Sequence, residues 1–205
     1  MGVNVAGLIR RGSSTAMVEG TSTCGGLVGE NLEQGTVLDC VAAGHLVMRP
    51  LCRLGEGYSV GGLVGVNRGG LSTSYANSTL DVLLASGGVC EGCAGGLAGA
   101  LIQGATPFFS VFANFSSAVL SDQAVGCGTM PPAGAQVVSW EALTHKATFK
   151  GWDMDEVWCM PAGSPPRLRW QNSQPVAVPG ADQTVTIPYE QARATVWLDG
   201  SGSYD

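Results

Sequence analysis

Side chains suited to chemistry are scarce in this chain. Its 205 residues include two histidines, His45 and His145, and charged side chains make up 13%. Neither histidine stands at ligand spacing from a cysteine, so metal centres and Cys-His nucleophile pairs have little to draw on. There is no phosphate loop or His-rich metal motif. Ten basic against sixteen acidic residues give a net charge of −6. Arg10-Arg11 and Arg167-Leu168-Arg169 are too small to form a basic stripe, which argues against nucleic acid as a partner. No apolar run reaches the roughly 18 residues of a membrane span, because Gly, Ser or Thr interrupts each one. Met1 to Gly12 also lacks the pattern of a signal peptide, its two arginines following rather than preceding the apolar residues.

Glycine, by contrast, is abundant, with 31 residues, and much of it is patterned. Gly25-Gly26-Leu27-Val28-Gly29 recurs as Gly61-Gly62-Leu63-Val64-Gly65 and as Gly95-Gly96-Leu97-Ala98-Gly99. A period of about 35 residues is the signature of a repeat architecture. Asn31 and Asn67 each follow the phrase by two residues, and half-motifs ending in Ala42, Ala76 and Ala113 mark a second equivalent position. Cys40 precedes Gly61, and Ser74 precedes Gly95, by 21 residues, and counting 21 back from Gly25 reaches Asn4-Val5-Ala6, read as a further copy of the half-motif. The chain is therefore expected to start inside a repeat, with Met1 the start of a fragment. Poor helix propensity and short runs such as Thr36-Val37-Leu38 and Leu46-Val47-Met48, separated by turn residues, favour strands. Stacked units would bury what a lone hairpin cannot. In that arrangement the paired glycines provide positive φ or close backbone approach at a corner, and Leu27, Leu63 and Leu97 point inward. Asn31 and Asn67 form a structural ladder that stops at the third copy, where Ala100-Leu101 replaces the Asn.

Seven cysteines, Cys24, Cys40, Cys52, Cys90, Cys93, Cys127 and Cys159, make an odd count. Cys40 takes the slot that Ser74 fills one repeat later, an exchange suited to a buried core position. Cys90-Glu91-Gly92-Cys93 has knuckle-like spacing but lacks a second ligand pair, so a loop disulfide or two free thiols is preferred to a metal. A bridge between Cys52 and Cys90 is a further option.

The Gly-Gly-Leu-Val-Gly-x-Asn phrase with its small-aromatic-Ala half-motif resembles the GLUG repeat of bacterial secreted and cell-surface proteins, over roughly residues 4 to 119. The resemblance implies an all-β fold, a parallel β-helix or β-solenoid spanning 1–138, on a large extracellular protein with an adhesive or spacer role. In similar arrays a Gly-Trp-Asp...Val-Trp block and a Pro-x-Leu-x-Trp phrase close the stack. Here these are Gly151-Trp152-Asp153...Val157-Trp158 and Pro166-Arg167-Leu168-Arg169-Trp170. Ser139 N-caps a helix expected over Trp140–Ala147, which makes 139–173 a short helix-containing C-terminal cap that keeps the last unit from pairing with other chains. Residues 174–205 are a linker, with Pro175 and Pro179, and a segment from Ala181 to Asp205 that resembles the first strands of an Ig-like PKD domain. Such a sandwich needs about seven strands, so this segment is incomplete.

Three functions are weighed on these residues. The first is a non-catalytic structural or adhesive module at the cell surface, without cofactor or metal, whose extracellular protein or glycan partner is unidentified and which adjoins other domains of a parent chain. The second is a carbohydrate-binding module in which Trp140, Trp152, Trp158 or Trp170 stacks on sugar rings. The third is a β-helix polysaccharide lyase or hydrolase, disfavoured because the acids of the repeats do not recur in register and Asp153, Asp155 and Glu156 are the one acidic cluster. That cluster reads as a solvated turn rather than a calcium loop.

Overall fold

A computed structural model describes residues 2–51, 57–84, 91–102, 111–116, 123–128 and 134–171. Cys52, Cys90 and the PKD-like stretch lie outside the described residues. The chain divides into two compact units, Met1–Leu168 and Arg169–Asp205. The first is all-β apart from short helical turns, and the pairings among its repeats are all parallel.

The second and third repeats each send strands to four sheets in the same order, and strands pair with their counterparts in the neighbouring repeats. The first sheet aligns Val3–Asn4, Val28–Asn31, Val64–Asn67, Ala98–Leu101 and Val125–Gly128. The second aligns Thr23–Gly25, Tyr58–Gly61 and Gly92–Gly95, and the third Leu8–Arg10, Thr36–Leu38 and Gly70–Ser72. In the fourth, Ala42 pairs with Ala76 and Ala76 with Ala113, as the half-motif predicts. Val125 pairs with Ala98, a further copy of the phrase that its Gln123-Ala124 opening hides from sequence inspection.

Register corrects the phase assigned at the start of the chain. Asn4 pairs with Asn31, not with Cys40, and Ser14 rather than Ala6 lies beside Ala42. The count went astray because the interval from half-motif to glycine phrase includes a return segment, Arg49 to Gly57 in the second repeat. The first repeat passes from strand Met17–Gly20 to strand Thr23–Gly25 with no such insertion.

The glycine phrase works by close approach, not by positive φ. A Cβ on Gly25 would lie 1.9 Å from the Val28 carbonyl oxygen of its own turn, and one on Gly26 would lie 2.2 Å from Gly62 O of the next repeat. The Gly26 position also abuts Ala42 Cβ, so a small residue is required on the facing strand. Positive φ occurs elsewhere, at the non-glycine residues Arg11 (54°), Asp39 (53°) and Thr73 (38°). These stand at the equivalent corner of three successive repeats, between the third and fourth sheets.

Leu27, Leu63 and Leu97 are buried with Val37, Leu71, Val28 and Val64 in one core. Full burial of each such side chain contributes about 1.5–3 kcal/mol. A second core fills the space between the second sheet and the far part of the fourth, from Cys24, Val60, Leu46, Met48 and Leu80.

Two polar ladders run through the stack. Asn4 Nδ2 donates to Asn31 Oδ1 at 2.9 Å, and Asn31 Nδ2 to Asn67 Oδ1 at 2.8 Å. Leu101 is next in register, so Asn67 Nδ2 turns to Gly69 O instead. The second ladder follows the positive-φ corner. Cys40 Sγ donates to Leu38 O at 3.2 Å and accepts from Gly12 N at 3.3 Å. Ser74 Oγ repeats both contacts one unit later, donating to Ser72 O at 2.6 Å and accepting from Cys40 N at 2.9 Å.

The Trp-rich segment packs against the fourth sheet. Leu143, Phe149, Trp152, Val157, Trp158 and Leu168 form a cluster with Val41 and Tyr75, which belong to the second and third repeats. Ala42 and Ala76 face the core, so the alternation of a strand turns Val41 and Tyr75 outward. The segment thus packs on the side of the fourth sheet, against strands of the second and third repeats. Tyr75 Oη donates to Pro166 O at 2.6 Å, which fastens the far end of the segment. Ser139 Oγ accepts from Ala142 N, as the N-cap pattern predicts. The helix, however, stops at Leu143, because Thr144 and Thr148 hydroxyls take the Glu141 and Ala142 carbonyls.

Candidate functional site

The four tryptophans proposed for glycan contact do not share an environment. Trp158 is fully buried and Trp152 is 6% exposed, whereas Trp140 and Trp170 are 53% and 57% exposed. Trp152 and Trp158 lie with ring centroids 4.5 Å apart, and Phe149 meets Trp152 edge-on at 4.8 Å. These are packing geometries of a core, which removes Trp152 and Trp158 from any sugar platform. Trp140 and Trp170 belong to different compact units.

The acids are used locally. Asp153 Oδ1 accepts from the backbone N–H of Asp155 and of Glu156 at 3.1 and 2.8 Å, so it organises the turn between the two buried tryptophans. Asp39 accepts from Thr73 Oγ1 at 2.5 Å and from Arg10 Nε at 3.4 Å, which steadies the positive-φ corner. Glu19 pairs with Arg49 and Asp81 with His45 on neighbouring strands of the fourth sheet. These acids therefore stand in separate pairs rather than as two carboxylates facing one gap.

Among the described cysteines, Cys24 and Cys40 are buried and free. Burial pushes the Cys40 thiol up to about 11, and it raises Cys24 and Tyr75 as well. Such thiols are poor nucleophiles at neutral pH. Cys93 is bonded to Cys127 across a sequence separation of 34 residues. The loop bridge or free thiol read from the Cys90-Cys93 spacing is therefore replaced, for Cys93, by a bridge between repeats. The signal was available, since Cys127 follows the disguised copy of the phrase at Val125-Gly126.

What varies from repeat to repeat is the corner that follows the Asn ladder. Between the ladder Asn and the glycine packed against it stand Val5-Ala6 in the first repeat, Leu32-Glu33-Gln34 in the second and Arg68 alone in the third. That glycine is obligatory, because a Cβ on Gly35 would lie 2.3 Å from Asn31 Oδ1. The unequal corners enclose a cleft of about 410 Å³ lined by Val5, Leu32, Glu33, Gln34 and Arg68. Sequence inspection passed over these residues, although the changing distance from Asn to Gly marks them.

No family model, curated protein or solved structure matches the chain.

Proposed function

We propose that this chain is a β-solenoid segment of the GLUG type and serves as a non-catalytic structural or adhesive module outside the cell. The observation that carries this reading is the use made of the recurrent residues. The repeated Gly, Leu, Asn, Ala and Cys or Ser positions are consumed in stacking, where they fill the core or ladder one repeat onto the next. Variation is left to the outer corners, a division of labour suited to a scaffold that displays surface. The Cys93–Cys127 bridge supports an oxidising compartment. On this reading residues 174–205 lead into a PKD-like domain of the parent protein.

An assay over a polysaccharide panel tests the non-catalytic part. No new reducing ends and no unsaturated lyase products are expected, and either product would overturn it. Alkylation of Cys93 and Cys127 in the source cells tests the location: labelling is expected only after reduction, and direct labelling would count against an extracellular site. A glycan-binding role is the second reading, favoured by the exposure of Trp140 and Trp170. It predicts quenching of tryptophan fluorescence by a saccharide and loss of that signal in Trp140→Ala or Trp170→Ala.

A further inference from the structure

The cleft beside the Asn ladder holds an unmatched cationic side chain. Arg68 N donates to Asn31 O at 2.7 Å, so its main chain is pinned to the neighbouring repeat. Its Nε is buried and has no acceptor among the described residues. Glu33 lines the same cleft without forming an ion pair to it. The rest of the half-buried guanidinium has no ion-pair partner among the described residues, and a carboxylate meeting it in its plane is the group that best matches it.

The other lining residues narrow the ligand. Glu33 as a carboxylate accepts only, so it requires hydroxyl or amide donors, while Gln34 can both donate and accept. Val5 and Leu32 offer an apolar wall. Glu33 and the net charge of −6 oppose a densely anionic polymer such as a sulfated glycan or nucleic acid. An isolated carboxylate set among hydroxyls on a ring with an apolar face meets all of these requirements. We propose that the cleft binds one acidic sugar residue of a uronate-containing saccharide, its carboxylate on Arg68 and its hydroxyls toward Glu33 and Gln34. The proposal rests on the reading of the corners as the displayed surface of the module, and it supplies that surface with a ligand class.

The test titrates the whole chain with glucuronate and galacturonate oligosaccharides, with neutral oligosaccharides of the same linkage, with acetate and with an oligoglutamate peptide. Affinity is read by calorimetry, and the Arg68 Nε–H resonance by nitrogen-edited NMR. Uronate saccharides are expected to bind saturably and to shift that resonance. Arg68→Gln should weaken them about tenfold or more with an unchanged melting midpoint, and Glu33→Ala, which removes an acceptor for the sugar hydroxyls, should weaken them as well. Four outcomes would overturn the proposal: no uronate binding, equal affinity for the neutral saccharides, equal affinity for acetate, or tighter binding of oligoglutamate. An unmoved Nε–H resonance in the wild-type chain would do the same even if the Arg68 variant failed to fold. Loss of uronate binding alone leaves the non-catalytic reading intact, whereas polysaccharide cleavage removes that reading whatever Arg68 does.

Discussion

At the scale of single residues the stack depends on polar side chains that reach one repeat along. Cys40 and Ser74 make the same two hydrogen bonds with sulfur and with oxygen. Cys40→Ser should therefore cost little, whereas Cys40→Ala strands the half-buried Gly12 N–H and should cost about 1 kcal/mol. The two variants also separate from wild type in alkali. Below pH 9.0 the thiol is protonated in both the native and the unfolded chain. Between 9.0 and about 11 the unfolded chain releases its proton while the buried thiol keeps it. Stability must then fall as pH rises through that window, by about 2 kcal/mol. Denaturant midpoints taken across it should drop further in wild type than in Cys40→Ser. Parallel curves would remove the thiol from the account. Tyr75, also raised by burial, adds a loss common to both proteins, so the difference isolates Cys40. Asn31 stands in the middle of the other ladder, bonded to both Asn4 and Asn67 and fully buried. Asn31→Ala should destabilise by about 3 kcal/mol in denaturant titration, because the amides left on either side have no water to turn to.

At the scale of elements, the repeat strands were legible because one glycine phrase recurs and stacking demands the same small residues each time. Legibility ended where the signal was not periodic. The phase of the first repeat was lost to an inserted return that the first repeat lacks. The fourth copy of the phrase was hidden by Gln123 in a glycine position. Trp152 and Trp158 are packing residues whereas Trp140 and Trp170 are exposed, and no local pattern says that Val41 and Tyr75 face outward and need a cover. That placement has a thermodynamic signature. Tyr75 and Trp158 lie with centroids 6.0 Å apart, and Trp158→Leu together with Tyr75→Leu should show a coupling energy of about 0.5–1.5 kcal/mol in a double-mutant cycle. Additive effects would mean that the segment caps the end of the stack and not the side of its middle repeats. Arg68 and Glu33 escaped notice for the opposite reason: they lie in the part of the repeat that does not repeat.

At the scale of the whole molecule, stability in stacked repeats is a sum of terms between neighbours, and an end is held by one neighbour only. The two ends of this stack are not alike. Beyond strand Gly92–Gly95 the second sheet has no further strand among the described residues, while the first sheet continues to Val125–Gly128. That last strand also lacks the Asn ladder, which stops at Asn67. Cys127 lies on it, and the bridge to Cys93 ties it to the terminal strand of the second sheet. The disulfide therefore stands at an end of the first sheet that the Asn ladder does not reach. Closing a loop of this length is worth about 3–4 kcal/mol against local opening. Reduction should accordingly act on one end. In hydrogen exchange after dithiothreitol treatment, amides of Ala98–Leu101 and Val125–Gly128 should lose protection. Those of Val28–Asn31 and Val64–Asn67, held by the ladder and by neighbours on both sides, should keep theirs. If all of these strands exchange together on reduction, the stack opens as a single cooperative block, and the bridge stabilises the whole fold rather than this end alone.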